Sequence, residues 1–509
     1  MKSYLYTTIL LLILSFFSLN DVQAHKRPLP TKIPVEKTFL AQYENVLGTS
    51  FEMKVFTPFS KKAKDAEKVA LNEIDRLSKI LSGYDPNSEF SLWMQTQNKA
   101  VKVSAELIEV LNLFDTWTAK THGAINPAFQ SMSQLWKDAA KHQLLPTTIA
   151  IQNTVQVANQ QHWLIDQKNA TVTHLTSSPL LLNTFVKSYI IDRATQKALS
   201  ETGVQGIVMN IGGDIRVAGN VNETVEITNP RATAINDTPL DRVSLQEHFI
   251  ATSGNYRRGF QINDKWYSHI IDPRTGLPVD HVISATVIAK NATDAGALAT
   301  AFNILSVSES IALAKQIPDV AYLIITKEGM RIQSNNWHSL EKNEDGVLLP
   351  VIKADQWDPT YELLVNLELA KFEGRSHRPF VAIWVEDKEK MPVRTLTVWY
   401  NKPRWLHDLR AWYSANYSKY NAESGTIASI SSATRSAGQY AIKWDGKDDQ
   451  GQLVKTGTYT IKIEVAREHG TYQLMTQEIK VNNKAQQFDL GANTEVVAAS
   501  IVLKKKEND

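Results

Sequence analysis

The 509-residue chain contains no cysteine. That excludes disulfides, thiolate metal centres and a cysteine nucleophile. It leaves the compartment open, because a chain this long can bury enough apolar surface to be stable without covalent staples. An excess of one charge is missing too: 55 Lys and Arg face 53 Asp and Glu, a formal net charge of +2. With no arginine-rich tract and no interleaving of aromatic and basic residues, the electrostatic footprint of a nucleic-acid binder is absent. After Ala24 no apolar run reaches membrane-spanning length.

The one long apolar run stands at the start. Lys2 precedes the stretch from Ile9 to Phe17, and Val22-Gln23-Ala24 sets small residues at the expected cleavage offsets. Residues 1–24 therefore read as a secretory signal peptide, with a retained anchor as the alternative. No cysteine follows the run, so lipid attachment there is excluded. The mature protein is expected to be soluble and exported to a bacterial periplasm. Residues 25–37 are basic and proline-rich and read as a linker.

Two domains follow, 38–340 and 341–509. In the first, Phe39 to Phe56 reads as strands around Gly48-Thr49. Apolar residues at helical spacing predict helices over Asp65–Leu81, Ala105–Thr121 and Phe185–Glu201. Strands are predicted over Val204–Ile215, Thr224–Thr228 and Ser284–Lys290. A helix from Thr293 to Leu305 is expected to be capped by Thr293-Asp294. Strands and helices mix without strict alternation, which predicts an α+β fold rather than a doubly wound parallel sheet. After about Asn336 the chain turns β-rich, with Asn343-Glu344-Asp345-Gly346 as a linker. Short segments at Tyr361–Leu369, Phe380–Glu386, Thr395–Tyr400, Gln439–Trp444, Tyr459–Ala466 and Leu474–Val481 predict an antiparallel, Ig-like sandwich. Its Asp-rich turn, Asp445 to Gly451, reads as a hairpin tip before it reads as a Ca²⁺ loop.

The densest chemistry lies in Ser268-His269-Ile270-Ile271-Asp272-Pro273-Arg274-Thr275-Gly276. Asp-Pro opens a turn, and Gly276 can supply the positive φ that closes it. The loop gathers an imidazole that titrates near neutrality, a carboxylate and a guanidinium that can grip phosphate in a fork. The plainer reading is a surface turn with a hydrogen-bonded histidine. For Arg274, a phosphate contact and a structural ion pair stand side by side.

Other motifs line up with this loop. Upstream lie Ser82-Gly83-Tyr84-Asp85-Pro86-Asn87-Ser88-Glu89, Leu135-Trp136, Lys187-Ser188-Tyr189 with Asp192, Asn210-Ile211-Gly212-Gly213-Asp214 and Ala251-Thr252-Ser253-Gly254-Asn255-Tyr256-Arg257. Downstream lies Ala297-Leu298-Ala299-Thr300-Ala301. In this order and at these separations, from Thr38 to Asn336, they resemble the FAD:protein FMN transferase (ApbE) family. The run from Arg378 to Trp412 resembles a periplasmic domain of unknown function that is found both alone and fused to flavin transferases. Further on, the Trp444-Asp445-Gly446 and Gly457-Thr458-Tyr459 signatures resemble the Ig-like repeat of flagellar hook-capping proteins.

The resemblance implies transfer of FMN from FAD to a Ser/Thr hydroxyl of an acceptor protein, with release of AMP and the help of a divalent cation, Mg²⁺. It implies His269 as base, with Asp272 and Arg274 beside it. Dinucleotide contacts would come from Tyr84, Gly123-Ala124-Ile125, Lys187, Gly212-Gly213-Asp214 and Ser253-Gly254. The acceptor would be another envelope protein with a Ser/Thr-Gly-Ala-Thr-type sequence, such as a membrane redox component; this chain has no such sequence. The cation site departs from the family pattern. The family's Asp-Leu-Gly-Gly-Ile-Ala-Lys-Gly-Tyr reads here Leu181-Leu182-Asn183-Thr184-Phe185-Val186-Lys187-Ser188-Tyr189, and Asn126 replaces another acid. The family's Asp and Thr four apart on one helix become Gly296 and Thr300. Thr184, through its carbonyl, Thr300 and Asp294 are the ligands that remain, with Asp294 more readily a helix cap. Gly296→Asp is then expected to raise activity or lower the Mg²⁺ requirement. Two alternatives stand beside the transferase: a non-catalytic flavin-binding relative, and an envelope adaptor acting through the sandwich.

Overall fold

The computed structural model describes residues 37–255, 258–342, 356–373, 377–400, 403–422, 431–432, 435–468, 470–482 and 484–506. The signal peptide, nearly all of the 25–37 linker, the Asn343–Gly346 linker and Tyr256-Arg257 lie outside the described residues.

The first domain opens with β1 (Thr38–Val46) and β2 (Thr49–Phe56), then α1 (Ser60–Leu81), α2 (Glu89–Met94), β3 (Ala100–Lys102) and α3 (Ala105–Lys120). Next come α4 (Gln130–His142), α5 (Thr148–Ala158), β4 (Trp163–Asp166), β5 (Thr171–His174) and α6 (Val186–Leu199). A run of strands follows: β6 (Gly206–Ile211), β7 (Asp214–Gly219), β8 (Glu223–Ile227), β9 (Asp241–Leu245) and β10 (Phe249–Gly254). It continues through β11 (Gly259–Ile262), β12 (Lys265–Ser268), β13 (Ile271–Asp272), β14 (Leu277–Pro278) and β15 (Val282–Ala289). The domain closes with α7 (Ala292–Ile304), α8 (Val307–Ala314), β16 (Ala321–Thr326) and β17 (Arg331–Gln333).

Eight strands form one sheet in the order β1-β2-β6-β7-β10-β15-β16-β17. Every neighbouring pair in it is antiparallel. The α+β expectation holds for this reason: no crossover helix joins parallel neighbours. Alternation along β6 divides its side chains between two cores. Ile207, Met209 and Ile211 face the large core with residues of α1, α6 and α7. Val208 faces the other side, where β8, β9 and Trp337 cover the sheet.

Two expected elements are corrected. The strand read over Val204–Ile215 is two strands, β6 and β7, folded back at Gly212 (φ +58°) and Gly213 (φ +94°). The cap of α7 is not Thr293-Asp294 but Asn291. Its Oδ1 accepts from the N–H groups of Thr293 at 2.8 Å and Asp294 at 3.1 Å. Asn291 takes the cap because its extended backbone aims the side chain at those orphan donors.

The second domain holds β18 (Tyr361–Leu369), β19 (Phe380–Asp387), β20 (Pro392–Trp399), α9 (Arg410–Ala422), β21 (Ser431–Ser432), β22 (Gly438–Trp444), β23 (Gly457–Ala466), β24 (Tyr472–Val481), β25 (Gln486–Leu490) and β26 (Val496–Lys505). Sheets β22-β18-β26-β25 and β21-β20-β19-β23-β24 pack face to face. The second sheet's outer face is covered by Leu406, Leu409 and Trp412, so β19 is buried on both sides. The Asp-rich turn is a hairpin tip whose carboxylate caps its own backbone: Asp448 Oδ1 accepts from the N–H groups of Gln450 and Gln452.

Lys37–Asp509 forms one compact unit. Arg378 of the second domain is buried against the β1–β2 hairpin. It donates to Glu44 at 2.6 Å and to the Phe51 carbonyl at 2.8 Å. The loop before β9 pairs with the free edge of β22 through Ile235 N–H to the Ala441 carbonyl, 2.8 Å.

Candidate functional site

His269 leaves the end of β12, the second strand of a hairpin whose register pairs Gly259 with Ser268. Its imidazole is half-buried. Nδ1 lies 3.0 Å from the Arg258 carbonyl oxygen. A carbonyl only accepts, so Nδ1 carries the proton and the neutral ring keeps its lone pair on Nε2. Among the described residues Nε2 has no hydrogen-bond partner. Burial lowers the pKa of His269, and the Arg258 charge adds to that; the bond to the carbonyl opposes it. The ring is therefore a neutral base at neutral pH.

The rest of the loop is an ion-paired brace. Asp272 is buried, and its carboxylate takes a fork from Arg274, Nε to Oδ1 at 3.0 Å and an Nη to Oδ2 at 2.9 Å. The other Nη of Arg274 donates to Glu309 at 2.9 Å. Arg274 thus spends its guanidinium within the protein, and Asp272 engages Arg274. The Asp272 carbonyl accepts from the Gly276 N–H at 2.7 Å, closing the turn. Trp136, quoted above only as a landmark, holds the loop from below. Its indole donates to the Gly276 carbonyl at 2.9 Å, and its ring lies 5.2 Å from that of Tyr267. The Gly123 turn lies against the same loop, with its missing Cβ direction 3.7 Å from Arg274 Cγ. Ala124 and Ile125 are both 1% exposed, so neither presents surface to a ligand.

A second cluster forms where α6, α7 and the β6–β7 turn meet. Lys187 is in the first turn of α6, and its ammonium pairs with Asp214 Oδ2 at 3.1 Å. Ser188 donates to the same oxygen at 3.3 Å. Burial pushes the Asp214 carboxyl up, against the pull of Lys187 and Ser188. A Cβ on Gly213 would meet nothing within 4 Å, so the turn is open to a ligand there. Tyr84 is 76% exposed and accepts a bond of 2.5 Å from Asn183. It projects into solvent near the entry to α6, held by Asn183. Ser253 lies near the end of β10, paired with Ala285, and its carbonyl accepts from Asn303 of α7 at 3.0 Å. Gly254 follows as the last residue of that strand.

The positions expected to hold a cation do not fit one. A Cβ on Gly296 would lie 2.4 Å from Ser188 Oγ and 3.4 Å from Phe185 Cα, so Ser188 fills the space of a side chain at 296. The Thr300 hydroxyl turns back to the Gly296 carbonyl at 3.2 Å. Thr184 lies in the turn before α6. Asp294 sits in the first turn of α7, its carboxyl pushed up by burial with Lys120 opposing. Among the described residues no three His, Asp or Glu side chains converge as a metal-binding group. A hard divalent cation wants several carboxylate or carbonyl oxygens free to point at it. Asn126, in place of another acid, spends its side chain on the Ala128 N–H and the Ala158 carbonyl. Sequence reasoning missed the Ser188–Gly296 contact, whose signal was the simultaneous change at both positions.

A model of the ApbE family matches residues 47–324. A second, described as a predicted periplasmic protein (DUF2271), matches 362–498. The chain is 29% identical over 280 residues to the FAD:protein FMN transferase of Vibrio cholerae, covering 52% of this chain and 82% of that one. It is 26% identical over 313 residues to the enzyme of the same name from Haemophilus influenzae, covering 57% and 88%. Among solved structures, the ApbE protein of Thermotoga maritima superposes with a TM-score of 0.53 at 26% identity, over 60% of this chain and 100% of that one. The Pseudomonas stutzeri flavinyl transferase ApbE, at 21% identity and a TM-score of 0.50 over 60% and 97%, shares the fold.

Proposed function

Because this chain belongs to the ApbE family, we propose that it transfers FMN from FAD to a Ser/Thr hydroxyl of an acceptor protein in the periplasm. The hydroxyl oxygen attacks the FMN phosphorus, the pyrophosphate bond to the adenylate breaks, and AMP leaves. The proton of the attacking hydroxyl passes to His269 Nε2. The single observation that carries this reading is the tautomer of His269. Its Nδ1–H is bound to the Arg258 carbonyl, which leaves Nε2 as the basic atom. Around it, the Asp272–Arg274 brace and Trp136 fix the loop, while Lys187 and the open Gly213 turn face the dinucleotide. No step is assigned to a cation, since the residues at 184, 294 and 300 do not make a site for one. The acceptor is an envelope protein with a Ser/Thr-Gly-Ala-Thr-type sequence, such as a membrane redox component.

The test is incubation of the mature full chain with FAD and such an acceptor, followed by in-gel flavin fluorescence and assay of AMP. Labelled acceptor with equal AMP supports the reading. No label and no AMP, beside an active relative as control, overturns it. A second reading is favoured by one observation: Leu181, Ser188 and Gly296 together replace the acid and glycine pattern of the family. In that reading the chain binds flavin and transfers nothing, and FAD would be retained on the protein with no AMP formed.

A further inference from the structure

Ser188 and Gly296 are one change written at two positions. Residue 188 lies on α6 and residue 296 on α7, and the two helices meet there. A Cβ at 296 would fall 2.4 Å from Ser188 Oγ and 3.2 Å from Ser188 Cβ, so a side chain at 296 needs the Ser188 hydroxyl to turn away from Asp214. The family pattern has glycine at the first and an acid at the second; this chain has a hydroxyl at the first and no side chain at the second. The exchange keeps the contact filled and replaces a carboxylate with a donor.

The donor is already committed. Ser188 Oγ and Lys187 Nζ both reach Asp214 Oδ2, at 3.3 and 3.1 Å. An oxygen that takes a hydroxyl and an ammonium is a poor ligand for a metal, and a cation approaching it would meet the ammonium first. Thr300 gives its hydroxyl proton to the Gly296 carbonyl, so the helix offers no carboxylate at 296 and only a neutral oxygen at 300. What this cluster offers an anion is the ammonium itself. Lys187 keeps 34% of its side chain exposed while its partner Asp214 keeps 11%. It lies 3.5 Å from the Gly212 carbonyl, beside the turn left open at Gly213.

We propose that this chain binds the pyrophosphate of a flavin dinucleotide through Lys187 and the Gly213 turn, with no divalent cation between α6 and α7. The inference rests on the flavin site of the transferase reading and adds how its charge is met. It implies a binding step indifferent to chelators.

The experiment is equilibrium titration of the full chain with FAD, followed by flavin fluorescence, in EDTA and in excess Mg²⁺. Mn²⁺ binding is measured in parallel by electron paramagnetic resonance with FAD present. The two FAD dissociation constants are expected to agree within about twofold, with no stoichiometric Mn²⁺ bound. Lys187→Gln should weaken FAD by about tenfold or more in both buffers, the worth of a hydrogen bond to a charged group. Ser188→Gly with Gly296→Asp should acquire one Mn²⁺; the wild-type measurements decide the matter whether or not that variant folds. Severalfold tightening of FAD by Mg²⁺ in the wild type, or one tightly held Mn²⁺, overturns the proposal. So does Lys187→Gln binding FAD like the wild type. Absence of FAD binding in either buffer removes the flavin site itself, and the transferase reading with it.

Discussion

A single carbonyl decides what His269 can do. With Nδ1–H fixed on Arg258, only the neutral ring has a basic Nε2, and burial favours that neutral form. Acid protonates the base and stops proton transfer, but only below a pKa that lies under the ordinary 6.5. The kcat/KM profile for FMN transfer should therefore be level through neutral pH and fall on the acid side of that value. His269→Ala should lower transfer by about 10²- to 10⁴-fold, the usual worth of a general base, as read by AMP release. At position 296 the structure sets a packing cost beside the expected gain. Gly296→Asp was expected to raise activity, but its Cβ would collide with Ser188, which is bonded to Asp214. The single substitution should destabilise the protein by about 1–3 kcal/mol, as overpacking does, and Ser188→Gly should relieve it. Denaturant midpoints of the single and double variants check this. The His269 loop was legible because Asp272, Arg274 and Gly276 act within a few residues of one another. Glu309, which completes the Arg274 brace, and Ser188, which closes on Gly296, were not: each meets its partner only through the fold.

Elements were legible in proportion to the apolar surface they bury. The helices now called α1, α3, α6 and α7 each bury an extensive face and were read to within a few residues, apart from the earlier start of α1. By contrast, α4 and α5 were not read: α4 is amphipathic but buries only Met132, Trp136 and Ala139, and α5 buries only Ala158. Yet α4 matters to the site, because Trp136 ties it to the Gly276 carbonyl. Trp136→Phe keeps an aromatic ring and removes the donor, leaving that buried contact unmade. With the volume lost from the smaller ring, it should cost about 1–3 kcal/mol of stability and lower kcat more than it raises the KM for FAD. A parallel loss of both would mean that the tether serves the dinucleotide pocket instead of the base. The cap of α7 is a second element-level case. Asn291 supplies one oxygen to two backbone N–H groups, and Asn291→Ala should cost about 1 kcal/mol in thermal unfolding. Asp294→Ala should cost less, since it does not occupy the cap position.

At the scale of the molecule, the short strands read after Asn336 pair into two sheets packed face to face. How the halves join was not legible, because Arg378 meets residues more than 300 positions earlier in the chain. The joint has two parts. Arg378, 6% exposed, is clamped on Glu44 and the Phe51 carbonyl, and the Ile235 loop completes the edge of β22, with Lys443 paired to Asp237 at 2.7 Å. The first clamp bears on the site, since Ser50, one residue before Phe51, accepts the Gly212 N–H at 3.0 Å. Removing one partner of a buried ion pair strands the other without its counter-charge, at a cost of about 3–5 kcal/mol. The solved relative from Thermotoga maritima aligns over its full length with 60% of this chain, and each half here packs a core of its own. Arg378→Ala should therefore uncouple the halves instead of unfolding both. Calorimetry of the wild type should show one heat-absorption peak, and of Arg378→Ala two, with the lower peak shifted down. A single unshifted peak in the variant would mean that the β22 edge and Lys443 hold the domains together without the clamp.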